Sequence, residues 1–232
     1  MLRLKSFDDI RGVDAGWLKA KHHFAIGPYG NPAHHAVGNL IVFNDDEIAP
    51  GTGFGLHQHE NIEIVSYIRE GTVTHRDDQG NVGKTHAGDV QVMSAGTGIR
   101  HSEQNDEDVP IRLFQIWLKP WFAGGIPQWG NKPFPKSDRA GVFVPLASGR
   151  NADGALPIRT DAEVCGAWLQ AGTRTRYSFR KDDAGYLVPA TGEVEVNGVR
   201  VRAREGLVIE SEEMVAINAL TDSELVLVVA AR

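Results

Sequence analysis

Apolar residues in this chain come in short runs, each closed by glycine, proline or asparagine, a punctuation that favours strands joined by turns over long helices. Leu40-Ile41-Val42-Phe43, Glu63 to Arg69, Thr72 to His75, Val90-Gln91-Val92-Met93 and Ile111 to Leu118 read as strands of the first half. The same grammar returns at Val142 to Val144, Val164 to Leu169, Thr173 to Phe179, Tyr186 to Val188, Glu193 to Val196, Val199 to Val201, Leu207 to Ile209 and Leu225 to Val229. Asp77-Asp78-Gln79-Gly80-Asn81 predicts a polar hairpin loop, and Asn197-Gly198 predicts a tight I′ turn because both residues tolerate positive φ. With 26 glycines in 232 residues, the expected class is all-β, built as barrels or sandwiches.

Between Pro120 and Pro135 the strand pattern gives way to Pro, Gly and Trp, as expected of a crossover between two halves. We place the division there, giving domains 1–130 and 131–232. Gly71-Thr72-Val73-Thr74 with Gly88-Asp89-Val90-Gln91 is echoed by Gly192-Glu193-Val194-Glu195 with Gly206-Leu207-Val208-Ile209, the trace of an internal duplication with one barrel per half. All nine histidines fall at or before position 101. An imidazole-based metal site therefore belongs to the first half, and the second barrel is expected to be metal-free.

A formal charge of −6 and a pI near 5.8 argue against direct nucleic-acid binding, which needs a clustered basic surface. Met1 to Trp17 mixes Lys, Arg and Asp without an apolar run, and no later segment reaches membrane-spanning length, so a cytoplasmic protein without a membrane partner is expected. The single cysteine, Cys165, lies in the apolar stretch Val164 to Trp168 and reads as a buried, inert thiol.

Chemistry is concentrated in two strings, His57-Gln58-His59 and His101-Ser102-Glu103. In a strand, side chains two residues apart share a face, so each string offers two donors in one direction, and adjacent strands would bring four together. A lone His-x-His is weak evidence. Here each pair follows a glycine-rich run, Gly51-Thr52-Gly53-Phe54-Gly55 before the first and Ser94-Ala95-Gly96-Thr97-Gly98 before the second. Two carboxylates compete for the fourth position: Glu63 shares the parity of His57 and His59 if the strand runs unbroken, whereas Glu103 is paired with His101 by spacing. His22-His23 and His34-His35 read as surface-loop residues able to border a pocket mouth, and His75 and His86 as solvated strand ends. Phe54, Met93, Phe114 and Trp117 lie near the ligand strands and are candidate apolar pocket walls.

These strings resemble the motifs of the cupin superfamily. Gly51, His57, His59, Glu63 and Gly71 are similar to its first motif, with an extra residue before the last glycine; Gly88, Gly96, His101 and Asn105 resemble its second, stretched and with Ser94 where proline is usual. Met93 to Glu103, together with Gly16-Trp17-Leu18, Asn44-Asp45-Asp46 and Gln115-Ile116-Trp117, resembles the pirin family in particular. Pirins usually carry Trp-His-Thr-Phe-Ser-Phe where this chain reads Lys21-His22-His23-Phe24-Ala25-Ile26, a departure that bears on substrate identity.

The resemblance implies a bicupin, two tandem double-stranded β-helix barrels, and favours Glu103 over Glu63 as the fourth ligand beside His57, His59 and His101. Glu63 is then a carboxylate that orients an imidazole or accepts a proton. Such a donor set suits iron, nickel, manganese, cobalt, copper or zinc; the resemblance points to Fe(II) with open coordination positions. The implied activity is a quercetin 2,3-dioxygenase-like cleavage of a flavonol with O2, releasing carbon monoxide, with Glu103 or Glu63 taking the enolic proton. The alternative is a metal-loaded regulatory protein acting through a protein partner, as some pirins do. A closed tetrahedral zinc would instead be structural.

Overall fold

The computed structural model describes all 232 residues, and it contains four β-sheets and no α-helix, only a single 3-10 turn at Lys136–Arg139. The first barrel pairs a seven-stranded sheet with a four-stranded one. Its large sheet runs in the order Gln128–Lys132, Val90–Ser94, Glu63–Glu70, Ile111–Leu118, Leu40–Ile48, Leu18–His22 and Gly12–Asp14. The small sheet runs Gly53–His59, Ile99–Gln104, Thr72–Asp77 and Val82–His86. In the second barrel, Gly206–Glu210, Asp183–Thr191, Ser223–Ala231 and Ala162–Leu169 repeat the order of the central strands of the first large sheet. Arg174–Ser178, Met214–Ala219, Glu193–Val196 and Val199–Arg202 likewise repeat the small one. The expected duplication is therefore present strand for strand, and the all-β, two-barrel class stands.

The two large sheets lie face to face. Phe43, Val65, Tyr67, Phe114 and Ile116 of the first half share one buried cluster with Val164, Tyr186, Val188, Val226 and Val228 of the second. The period of two along a strand sends the intervening residues the other way. Leu187, Leu225, Leu227 and Val229 thus fill the interior of the second barrel with Val194, Val196, Val215 and Ile217. Cys165 belongs to this second cluster, 1 % exposed, and burial pushes its thiol up, as an inert cysteine requires.

The chain crosses the expected division at both ends. Leu2–Lys5 joins the edge of the second barrel's large sheet, pairing Leu4 with Leu207, and Gln128–Lys132, which straddles position 130, pairs with Val90–Ser94 of the first. Main-chain pairing at a free sheet edge, not composition, decides which barrel such short strands join. Polar bonds also span the seam: His23 Nδ1 to Tyr186 Oη at 2.7 Å, Tyr67 Oη to Glu224, and Arg204 Nε to Asp45 Oδ2 at 2.5 Å. The Asn197-Gly198 turn forms as read, with φ of 45° and 85°.

His23 is wholly buried, and burial together with Lys5 and Arg204 holds its imidazole well below the ordinary value. The folded chain therefore takes up fewer protons there than the unfolded chain, whose histidine titrates near pH ~6.5. The stabilisation from neutral His23 is full above that pH and drains away as pH falls toward the folded value. Urea denaturation should show stability declining below about pH 6.5, with a smaller decline in His23→Phe. Tyr186→Phe, which strips His23 Nδ1 of its partner, should cost about 1–3 kcal/mol at neutral pH. An unchanged midpoint would show the bond to be dispensable.

Candidate metal centre

His57 and His59 stand on Gly53–His59, and the antiparallel neighbour Ile99–Gln104 sets His101 directly opposite His57. Gly53 permits the approach: a Cβ at that position would meet the Glu103 carbonyl oxygen at 2.3 Å. The three rings converge, with centroids 4.4 Å apart for His57 and His101, 4.8 Å for His57 and His59, and 5.2 Å for His59 and His101. One nitrogen from each lies within 4.8 Å of the other two.

Their protonation suits a cation. The Gly55 carbonyl, 2.7 Å from His57 Nδ1, can only accept, so Nδ1 carries the proton and Nε2 presents a lone pair. Burial, with His57 beside them, pushes His59 down to about 4 and His101 down to about 3, which keeps both rings neutral at pH 7. Both nitrogens of His101 are buried without a hydrogen-bond partner, an arrangement that native interiors rarely leave uncompensated. The residues fit a metal ion: an orphaned, neutral imidazole lies between two others with free lone pairs.

Glu103 is not one of the converging atoms, but it lines the same cavity. The i, i+2 spacing keeps the Glu103 side chain on the face of His101, and a register shift on the Gly53–His59 strand sets Phe54 opposite Glu103. Glu103 is 2 % exposed and accepts hydrogen bonds from Gln91 Nε2 at 2.5 Å, Gln115 Nε2 at 2.8 Å and Ser66 Oγ at 3.5 Å. Burial outweighs those three donors and pushes its carboxyl up to about 7. Glu63 lies elsewhere. The strand breaks at Glu60-Asn61-Ile62, where Asn61 has φ 52°, so parity with His57 and His59 is lost. Glu63 instead accepts from Ser94 Oγ at 2.6 Å and from the Arg159 backbone N–H at 3.0 Å, at the seam between the barrels. The expected role beside an imidazole is corrected to a structural one.

The cavity, about 230 Å³, opens between the two sheets of the first barrel. Period two decides its walls. Leu18, Ala20 and His22, Asn44 and Asp46, and Gln115 and Trp117 face it from three neighbouring strands, and Phe54 faces it from the opposite sheet. Of the four expected walls, Phe54 and Trp117 are in place; Phe114 points into the core between the barrels, and Met93 packs with Ile64 and Ile99. His22 and His23, expected on a surface loop, both lie at the buried end of the strand region, His22 toward the cavity and His23 toward the seam.

His75, expected to be solvated, is 1 % exposed, bonded to Asp77 Oδ2 at 2.9 Å and stacked on Trp129 at 4.6 Å. The missing Cβ of Gly83 leaves room for that indole, which arrives on a strand from beyond the crossover, so no local signal foretold the burial. His86 is exposed as read. Asp46 was the functional candidate that sequence reading passed over. The signal was present, a polar string Asn44-Asp45-Asp46 within an apolar strand, but only its family likeness was used.

Comparison with known proteins agrees with this architecture. Residues 5–118 match the family model described as Pirin, and residues 145–228 match the quercetinase C-terminal cupin domain. A pirin-like protein of Caulobacter vibrioides is 58 % identical over 232 residues, with all of both chains covered. A quercetin 2,3-dioxygenase of Escherichia coli is 34 % identical, over 98 % of this chain and 97 % of its own. The crystal structure of the bacterial pirin YhhW from Escherichia coli in complex with nickel(II) superimposes with a TM-score of 0.93 at 33 % identity, covering 100 % of this chain and 99 % of that one. With two barrels of one topology, a histidine triad able to hold a metal, and these relatives, the chain belongs to the pirin family of bicupins.

Proposed function

We propose that this chain is a metal-dependent dioxygenase that opens a flavonol-like enolone ring with O2 and releases carbon monoxide. The ligands are His57, His59, His101 and Glu103, the ion is Fe(II), and the barrel that holds it is the first of the two. The observation that carries this reading is the company His101 keeps: two unpartnered buried nitrogens, two neighbouring imidazoles, and a carboxyl poised near neutrality in one cavity. The quercetin dioxygenase name of the Escherichia coli relative and the nickel-bound pirin structure support it.

A bound divalent ion would supply Lewis acidity to the enolone oxygens and a meeting point for O2. The chain's own residues supply the rest. Glu103 accepts the enolic proton at a carboxylate oxygen, and Gln91 on Oε1 and Gln115 on Oε2 hold the carboxylate in place. Phe54 and Trp117 exclude water from the electron-rich anion that results. Both atoms of O2 end in products, so no external reductant is needed. Glu63, which accepts hydrogen bonds from Ser94 and the Arg159 backbone at the seam, takes no proton in this reading.

One feature favours the second reading, a metal-loaded protein that docks on a partner. Trp121, Phe122 and Ile126 in the crossover are 56, 60 and 77 % exposed, an apolar patch of the kind that partners cover.

Elemental analysis should find about one metal per chain in the wild type and in Glu63→Ala, and far less in His57→Ala, His101→Ala and Glu103→Ala. Metal lost from Glu63→Ala but kept by Glu103→Ala would reverse the ligand assignment. On acidification the metal should be released, because protons compete for the three imidazoles and for the Glu103 carboxyl that burial pushes up to about 7; elemental analysis after dialysis at stepped pH checks this. With quercetin and oxygen the purified protein should release carbon monoxide, and His101→Ala should not. Glu103→Gln should lose about 10²–10⁴-fold in kcat. Partner binding that requires metal, with no turnover, would favour the docking reading.

A further inference from the structure

We propose that His22 and Asp46 select the substrate, and that the enolone ring held beside the metal carries at least one O–H beyond the enolone pair. This rests on the dioxygenase reading and narrows it. His22, Asn44 and Gln115 are successive cross-strand neighbours, as are Ala20, Asp46 and Leu113, so the polar side chains form one continuous wall of the cavity facing the histidines.

That wall is short of partners. His22 Nδ1 lies 3.0 Å from Asn44 Oδ1, an atom that can only accept, so Nδ1 carries the proton and Nε2 is left as an acceptor. Nε2 is buried and has no partner. Asp46, 2 % exposed, has an unpartnered Oδ1 and no cation within ion-pair distance. The guanidinium groups of Arg69 and Arg204 are both taken by Asp45, which faces the other side of the sheet. Buried acceptors left unpaired raise the free energy of a protein unless something donates to them. A ligand hydroxyl does so for whichever of the two its single proton reaches. When the enolone oxygens face His57, His59 and His101, a further O–H on the same ring is directed to the opposite wall.

Space allows the same conclusion, the cavity being about 230 Å³. Alanine at position 20 and the half-buried Leu18 leave room beside Asp46 for one ring with its substituent.

The test is calorimetric titration of metal-loaded protein under argon, where nothing turns over, with two monocyclic hydroxypyranones that differ by one hydroxyl: kojic acid and its deoxy analogue allomaltol. Wild type should bind kojic acid about tenfold more tightly, the upper end of what one neutral hydrogen bond contributes. The preference should fall to near unity in whichever of His22→Leu and Asp46→Leu removes the acceptor that takes the proton, and be kept in Asp46→Asn, which preserves an acceptor oxygen. Equal affinities in the wild type would overturn the proposal whatever the variants do. So would a preference that survives both leucine substitutions. Failure of quercetin to yield carbon monoxide in air would defeat the dioxygenase reading alone, since the anaerobic comparison does not depend on turnover.

Discussion

The contact between the two seven-stranded sheets governs everything else in this molecule. Leu40–Ile48 and Ile111–Leu118 of the first sheet each have one face against the second barrel and one face on the cavity, so neighbouring residues serve opposite ends. His23 bonds Tyr186 across the seam while His22 faces the cavity. Asp45 takes Arg204 across the seam while Asp46 faces the cavity. Phe114 and Ile116 pack in the seam while Gln115 and Trp117 line the site. A slip of one residue in register would exchange core for site throughout. The stability of the core and the composition of the site are therefore fixed by the same hydrogen-bond ladder.

Burial gives the site its chemistry. The same desolvation that lowers His59 and His101 raises Glu103, so at neutral pH the cavity holds uncharged imidazoles with available lone pairs beside a carboxyl close to its own titration point. Ligands and base with these properties are what a metal-assisted proton abstraction needs. The second barrel shows the contrast. Its interior, built on the same strand order, is filled by Leu187, Val194, Val196, Val215, Ile217 and Leu227, with Cys165 among them. Duplication has left the histidine triad in one barrel and set the other against the back of its large sheet.

Reading the sequence recovered most of the fold because strand periodicity and turn chemistry are local. The runs ending at glycine, the Asn197-Gly198 hairpin and the echo between the halves each depend on residues near one another in the chain. The convergence of His57, His59 and His101 was legible for the same reason, since i, i+2 spacing fixes a common face. Glu63 was misread because its parity was carried across Asn61, whose positive φ breaks the strand.

The sequence by itself determined that this chain forms β-strands in two similar halves and that its imidazoles lie in the first. Which half Leu2–Lys5 and Gln128–Lys132 would join, that Trp129 would cover His75, and that Asp46 would be left without a cation were decided only by the tertiary structure. Local pattern encodes direction along a strand. Partners across a sheet edge, a seam or a cavity come from residues far away in the chain, and no local pattern names them.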